Sequence, residues 1–170
     1  MKRVCLSGAE STGKSTLAPR LAARFGGVVV AEYGRLYAEA HGTDFTVADL
    51  QRIAEGHLAV RRAAERERPR LIVEDTDVVV TAAWAEMLFG AADPVLEAIP
   101  ATADLYLLFS PDVAWIGDGT RLFGAPERRS RFHTLIVAGL ARRGVAVTEI
   151  GGDWQARYAG SVAAIEALLG

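Results

Sequence analysis

Immediately after the apolar run RVCLS, residues 3–7, the chain reads GAESTGKST. Gly8, Gly13, Lys14 and Ser15 stand there at the spacing G-x-x-x-x-G-K-S. No other stretch narrows the choice of fold so far. The pattern works only where a strand feeds a tight loop that opens a helix. Its glycines let the backbone curl until successive N–H groups point at one anion, and the helix N-terminus adds a favourable field. Lys14 sharpens the reading, because Lys2 and Lys14 are the only lysines among 19 basic side chains. A compact ammonium on a flexible stem can lie along such a loop and reach between two phosphates, where a planar guanidinium is too broad. The expectation is a P-loop that binds a nucleoside triphosphate with Mg²⁺, Ser15 offering its hydroxyl to the metal.

The rest of the chain agrees with that geometry. Residues 3–7, 27–31, 70–74, 104–109 and 145–150 are short and almost continuously apolar, as parallel strands covered on both faces are. Helical stretches separate them: about 13–25, then 46–65 with Thr46 and Asp49 at capping-box spacing. Another begins at Pro94 behind Asp93, one runs from Pro126 to Arg142 and Arg143 before Gly144, and a last one follows Gly151 and Gly152. Strands alternating with helices predict an α/β fold with a parallel sheet and crossover connections. At 170 residues, with no repeat or linker, one domain over residues 1–170 is expected. A net charge of -2 gives no footprint for nucleic acid. Cys5, alone, is read as a core residue, and the absence of a signal peptide or apolar span predicts a cytoplasmic protein without membrane contact.

In such sheets ligands sit beyond the carboxyl ends of the strands. Those ends are acidic here: EYGR with Glu32 and Arg35, EDTD with Asp75 and Asp77, and SPDVAWIGDGTR with Asp112, Asp118 and Arg121. A phosphoryl transferase needs one carboxylate at its metal ion and another to orient or deprotonate the accepting hydroxyl. Asp75, ending an apolar run, is the expected Mg²⁺ partner. Glu74 and Asp75 point to opposite faces of an extended chain, so at most one faces the site. Arg121, and Arg129 among its neighbours, lie in a glycine-punctuated segment near 111–131 that has the composition of a closing lid. Tyr33, Trp84 and Trp115 are candidates to stack on a flat base. Trp154 and Arg157, after the fifth strand, are placed beside the adenine. His41, His57 and His133 lack metal-ligand spacing and are read as surface or helix-face residues.

Taken together, GAESTGKSTL, EYGR, DTD, W-x-x-DG-x-R (Trp115 to Arg121) and the late RY resemble the ribosylnicotinamide kinase domain of NadR-type proteins, from about residue 3 to 168. The resemblance implies a P-loop NTPase three-layer sandwich of nucleoside and nucleotide kinase type, with strand order 2-3-1-4-5 and helices on both faces. It implies transfer of the ATP γ-phosphate to the 5′-hydroxyl of nicotinamide riboside, giving nicotinamide mononucleotide. Gly8, Glu10, Ser11, Thr12, Gly13, Lys14, Ser15 and Thr16 would hold ATP, and Ser15 with Asp75 the magnesium. Glu32 is the implied catalytic base, with Asp77 the alternative. Tyr33, Arg35, Asp77, Trp84, Trp115 and Asp118 would line the riboside pocket, and Arg121 and Arg129 the lid. Gly117 stands where an acidic residue is expected in the lid motif. The chain begins close to the P-loop strand, so a free-standing kinase without the family's adenylyltransferase or DNA-binding domain is expected, with room for a homo-oligomer. Alternative readings are a deoxynucleoside or nucleotide kinase, or a non-catalytic ATP-binding module.

Overall fold

A computed structural model describes residues 1–170. The elements run β1 (Lys2–Gly8), α1 (Lys14–Phe25), β2 (Val28–Val30), α2 (Tyr33–His41), α3 (Val47–Arg66) and β3 (Leu71–Asp75). They continue as α4 (Val78–Phe89), α5 (Pro94–Ala98), β4 (Leu105–Phe109), α6 (Pro126–Arg142), β5 (Val147–Ile150) and α7 (Trp154–Leu169). The five strands form one parallel sheet in the order β2-β3-β1-β4-β5, as expected. β1 lies at its centre, with Leu6 opposite Asp75 of β3 and Gly8 opposite Phe109 of β4. All five carboxyl ends therefore open on one side.

Alternation along the strands divides the core in two. Val4, Leu6, Leu107 and Phe109 face Leu17 and Leu21 of α1 and Ile165 of α7. Cys5, Tyr106 and Leu108 face α3, α4 and α6, where Leu50, Ile53, Val79, Ala83, Phe132 and Ile136 close the other layer. Cys5 is fully buried, as a small core residue should be.

The local signals read from the sequence are present. Thr46 and Asp49 cap α3 reciprocally, Asp49 N–H donating to Thr46 Oγ1 at 3.3 Å and Thr46 N–H to Asp49 Oδ2 at 2.9 Å. Asp93 accepts from Leu96 N–H at 2.9 Å, with Pro94 in the first turn of α5. Two helices were not expected, α2 and α4. α4 begins VVVTAA, a β-branched run that suits a strand. It is helical because Asp77 caps it, Asp77 Oδ1 accepting from Val79 N–H at 2.9 Å, and because a helix apolar all round can be buried between the sheet and its neighbours. No helix is long and apolar enough to cross a membrane.

Candidate active site

The loop after β1 has the shape its glycines permit. Gly8 has φ +132, and a Cβ there would lie 2.5 Å from the Phe109 carbonyl oxygen, so only glycine allows β1 to pass β4 this closely. Gly13 has φ +92 and would meet the Trp154 ring at 2.4 Å. Lys14 then opens α1. Its Nζ donates to the Gly8 and Ala9 carbonyls, both at 2.8 Å, curling back along the loop. Burial pushes the ammonium pKa down, against the attraction of Asp75, Glu32 and Glu10. Ser15 and Thr16 remain exposed at the helix start.

The acidic strand ends separate as an extended chain requires. Glu74 turns into the α3 layer and meets His57 Nε2 at 3.1 Å. Asp75 turns toward Lys14; it is 4% exposed, and its Oδ1 is sealed without any hydrogen-bond partner. An unpartnered buried carboxylate oxygen close to the P-loop lysine suits a magnesium ion, which takes most of its ligands from water and phosphate. No cluster of three His, Cys, Asp or Glu offers an all-protein metal cage.

Glu32, at the N-cap of α2, makes no capping bond through its side chain. Burial and then the nearby Asp75 raise its pKa, while Lys14 and Arg35 oppose the rise. Asp77 is also raised, chiefly by burial. Both its oxygens are engaged: Oδ1 by Val79 N–H, and Oδ2 by the Tyr106 hydroxyl, which donates at 2.5 Å. Arg35 spans from Glu32 at 3.4 Å to Asp118 Oδ2 at 2.6 Å, and Arg121 Nε meets the same oxygen at 3.1 Å. Against the cost of burial, Arg35 and Thr120 hold the Asp118 carboxyl well below the usual carboxylate range.

One cleft with two unlike ends gathers most of these groups, although Asp75 and Asp118 are not among the residues that line it. The P-loop, Glu32, Arg35, Asp77 and Arg121 form the polar end; Phe45, Leu50, Ile53, Val80, Trp84 and Phe132 form the apolar one. Phe45 and Trp84 meet edge to face at 5.8 Å between centroids, and the Trp84 ring lies 4.7 Å from that of Phe123. Phe45, Leu50, Ile53 and Val80 are not named from the sequence, and His57 is named there only as a surface or helix-face residue. They come from α3, α4 and the turn before α3, and only the fold shows that these surfaces converge.

Several expected contacts are corrected. Tyr33 does not enter the cleft: its ring packs so tightly on α3 that a Cβ at Gly56 would lie 2.1 Å from it. The Trp115 ring folds over Gly117 and Gly124, and a Cβ at Gly117 would be 3.1 Å away, which explains glycine at that position. Trp154 lies over Gly13 of the P-loop. Arg157 is fully buried and has no surface to give a base. Its guanidinium donates to the Gly152, Thr12 and Ser110 carbonyls at 2.8, 3.2 and 3.0 Å and pairs with Asp112, tying α7 to the P-loop. Arg157→Met is expected to lower stability by about 3 kcal/mol, since buried carbonyls lose charged donors. A thermal melt should show a fall of roughly 10 °C.

Arg129, likewise buried, donates to Val113 O at 2.6 Å and Ser11 O at 3.3 Å, joining α6 to the loop. Glu10 spends its carboxylate on the segment between β4 and α6, accepting from Leu122 N–H at 3.1 Å and Phe123 N–H at 2.9 Å. That anchor predicts that Glu10→Gln speeds proteolytic cleavage within residues 110–125 by about tenfold, as weaker acceptors release the segment. His57, expected on the surface or on a helix face, is on the buried face of α3, 4% exposed.

A phosphate-cradling loop at the end of the central strand, acidic neighbouring strand ends and a 2-3-1-4-5 parallel sheet define a P-loop protein of the nucleoside and nucleotide kinase fold. Residues 3–157 match the family described as an AAA domain, and the chain belongs to it. It is 29% identical over 177 residues to the trifunctional NAD biosynthesis/regulator protein NadR of Escherichia coli (strain K12), and equally to that of Salmonella typhimurium (strain LT2). Each match covers all of this chain and 43% of the relative, so the chain spans less than half the length of those proteins. Among solved structures, NadR in complex with NR superposes with a TM-score of 0.79 at 25% identity, covering 98% of this chain and 49% of that one. Thymidylate kinase from Ehrlichia chaffeensis shares the fold, with a TM-score of 0.68 at 13% identity and 98% of both chains covered. The likeness to NadR read from the motifs is thus found across the whole chain.

Proposed function

We propose that the protein is a nicotinamide riboside kinase, transferring the γ-phosphoryl of ATP to the 5′-hydroxyl. The observation that carries the reading is the two-ended cleft: a P-loop and a carboxylate with raised pKa at one end, an aromatic and aliphatic recess at the other. ATP phosphates would rest on the main-chain amides after Gly8 and on Lys14. Ser15 and Asp75 would hold Mg²⁺, which when bound screens the phosphate charge. Glu32 accepts the proton of the 5′-hydroxyl as its oxygen attacks the γ-phosphorus; the bond from that phosphorus to the β–γ bridging oxygen breaks, and ADP leaves. Arg121 neutralises charge on the transferred group. The nicotinamide ring, cationic and flat, suits the recess of Trp84 and Phe45 beside acidic groups. The similarity to NadR, solved in complex with NR, supports the same reading. In this reading residues 111–131 act as a lid within a single kinase domain.

Arg35 argues against a nucleotide acceptor, because its guanidinium is engaged by Asp118 and Glu32. Steady-state rates with nicotinamide riboside, thymidine, uridine and cytidine test the assignment. A clear preference for the pyridine riboside is expected; equal or faster turnover of a pyrimidine nucleoside overturns it.

A further inference from the structure

His57 and Glu74 form a buried pair that the phosphoryl transfer above does not use. His57 is on α3, one helical turn beyond Ile53, and lines the apolar end of the cleft with Ile53, Val80 and Trp84. Glu74 lies behind it on β3 and is 1% exposed. Their contact, Nε2 to Oε2 at 3.1 Å, leaves Nδ1 with no protein hydrogen bond. His57 lines the cleft, and Nδ1 is the ring nitrogen left for a bound molecule. A histidine there only for packing leaves a nitrogen without a partner beside an apolar recess, where an unmade hydrogen bond is costly.

We infer that the His57–Glu74 pair determines acceptor specificity by reading a primary carboxamide on the ring of the bound riboside. This rests on the riboside-kinase reading given above. With Nε2–H given to Glu74, the nitrogen that carries the lone pair is Nδ1. A lone pair in that position accepts from an amide NH₂ and repels a carboxylate. The negative groups nearby, Glu74 and Asp77, act in the same direction. The pair therefore separates an acceptor bearing a carboxamide from one bearing a carboxylate at the same ring position, two molecules of nearly equal shape that apolar walls alone cannot distinguish.

The test compares kcat/KM for nicotinamide riboside and nicotinic acid riboside in the wild-type protein, His57→Gln and His57→Phe, with titration calorimetry of both ribosides in the absence of ATP. The wild type is expected to favour the amide by about 100-fold. His57→Phe should narrow the ratio to less than about tenfold, the change falling mainly on KM for the amide and on its calorimetric affinity. His57→Gln, whose side-chain oxygen can still accept, should retain part of the preference. If His57→Phe fails to fold because Glu74 is stranded, the double variant His57→Phe/Glu74→Leu removes the buried charge and carries the same expectation. A wild type that uses both ribosides equally or prefers the acid overturns the inference and leaves the kinase reading standing. A ratio unchanged in His57→Phe does the same. Rejection of both ribosides alongside turnover of a pyrimidine nucleoside overturns both.

Discussion

Lys14→Arg, which keeps the charge, is expected to lower kcat/KM for ATP by about 10³, the scale of losing one preorganised electrostatic contact to a developing charge. The reason is room. Nζ is held by two carbonyls of its own loop at 2.8 Å, on a side chain 8% exposed. On binding, a triphosphate would compete for that ammonium, which can swing from carbonyl to phosphate by small rotations of its stem. A guanidinium would have to place its plane edge-on in the same curl and would press against the backbone that should face the phosphates. Lys14→Met removes the charge as well and should be at least as damaging. Far-ultraviolet circular dichroism should be unchanged in both, and calorimetry with a non-hydrolysable ATP analogue should show the loss directly. Retention of wild-type kcat/KM by Lys14→Arg would mean that Lys14 does not act on the phosphates.

The P-loop was legible because everything it needs is local: a strand, a glycine curl, a lysine and a helix start fall within about 25 residues. The sheet order followed from the family resemblance, and the strands were readable because parallel strands buried on both faces are plain apolar runs. What failed to show was pairing across elements. Arg157 sits after β5, where a base-stacking role is natural, yet its guanidinium is consumed by three carbonyls and Asp112. Nothing in GGDWQARY shows that the chain folds those acceptors around it. Glu10 reads as part of the phosphate loop, but its partners lie 112 and 113 residues away. His57 and Glu74 are 17 residues apart on a helix and a strand, and neither position alone marks the other. Helix α4 was hidden for a different reason, since its β-branched start contradicts its conformation and only burial and the Asp77 cap decide it.

The same contrast between local motif and folded context separates Glu32 from Asp77, which the sequence left open as alternative bases. Asp77 already accepts two hydrogen bonds, one holding the start of α4 and one from Tyr106. To take a proton from a substrate it would have to release one of them. Glu32 has only Arg35 as a partner, at 3.4 Å, and lies within the electrostatic reach of Asp75 and Lys14. Glu32→Gln is therefore expected to reduce kcat by about 10³ with KM for the riboside little changed, within the range for a lost general base. Asp77→Asn should retain most of kcat; its cost should appear in stability, because Asn can still accept from Val79 N–H but loses the charge that receives the Tyr106 hydroxyl. A pH profile sharpens the distinction. A base works deprotonated, so activity rises with pH through its pKa, and burial beside Asp75 displaces the Glu32 limb above the ordinary glutamate range. That limb should vanish in Glu32→Gln and persist in Asp77→Asn. If Asp77→Asn instead loses kcat and the limb while Glu32→Gln keeps both, the proton goes to α4 and not to α2.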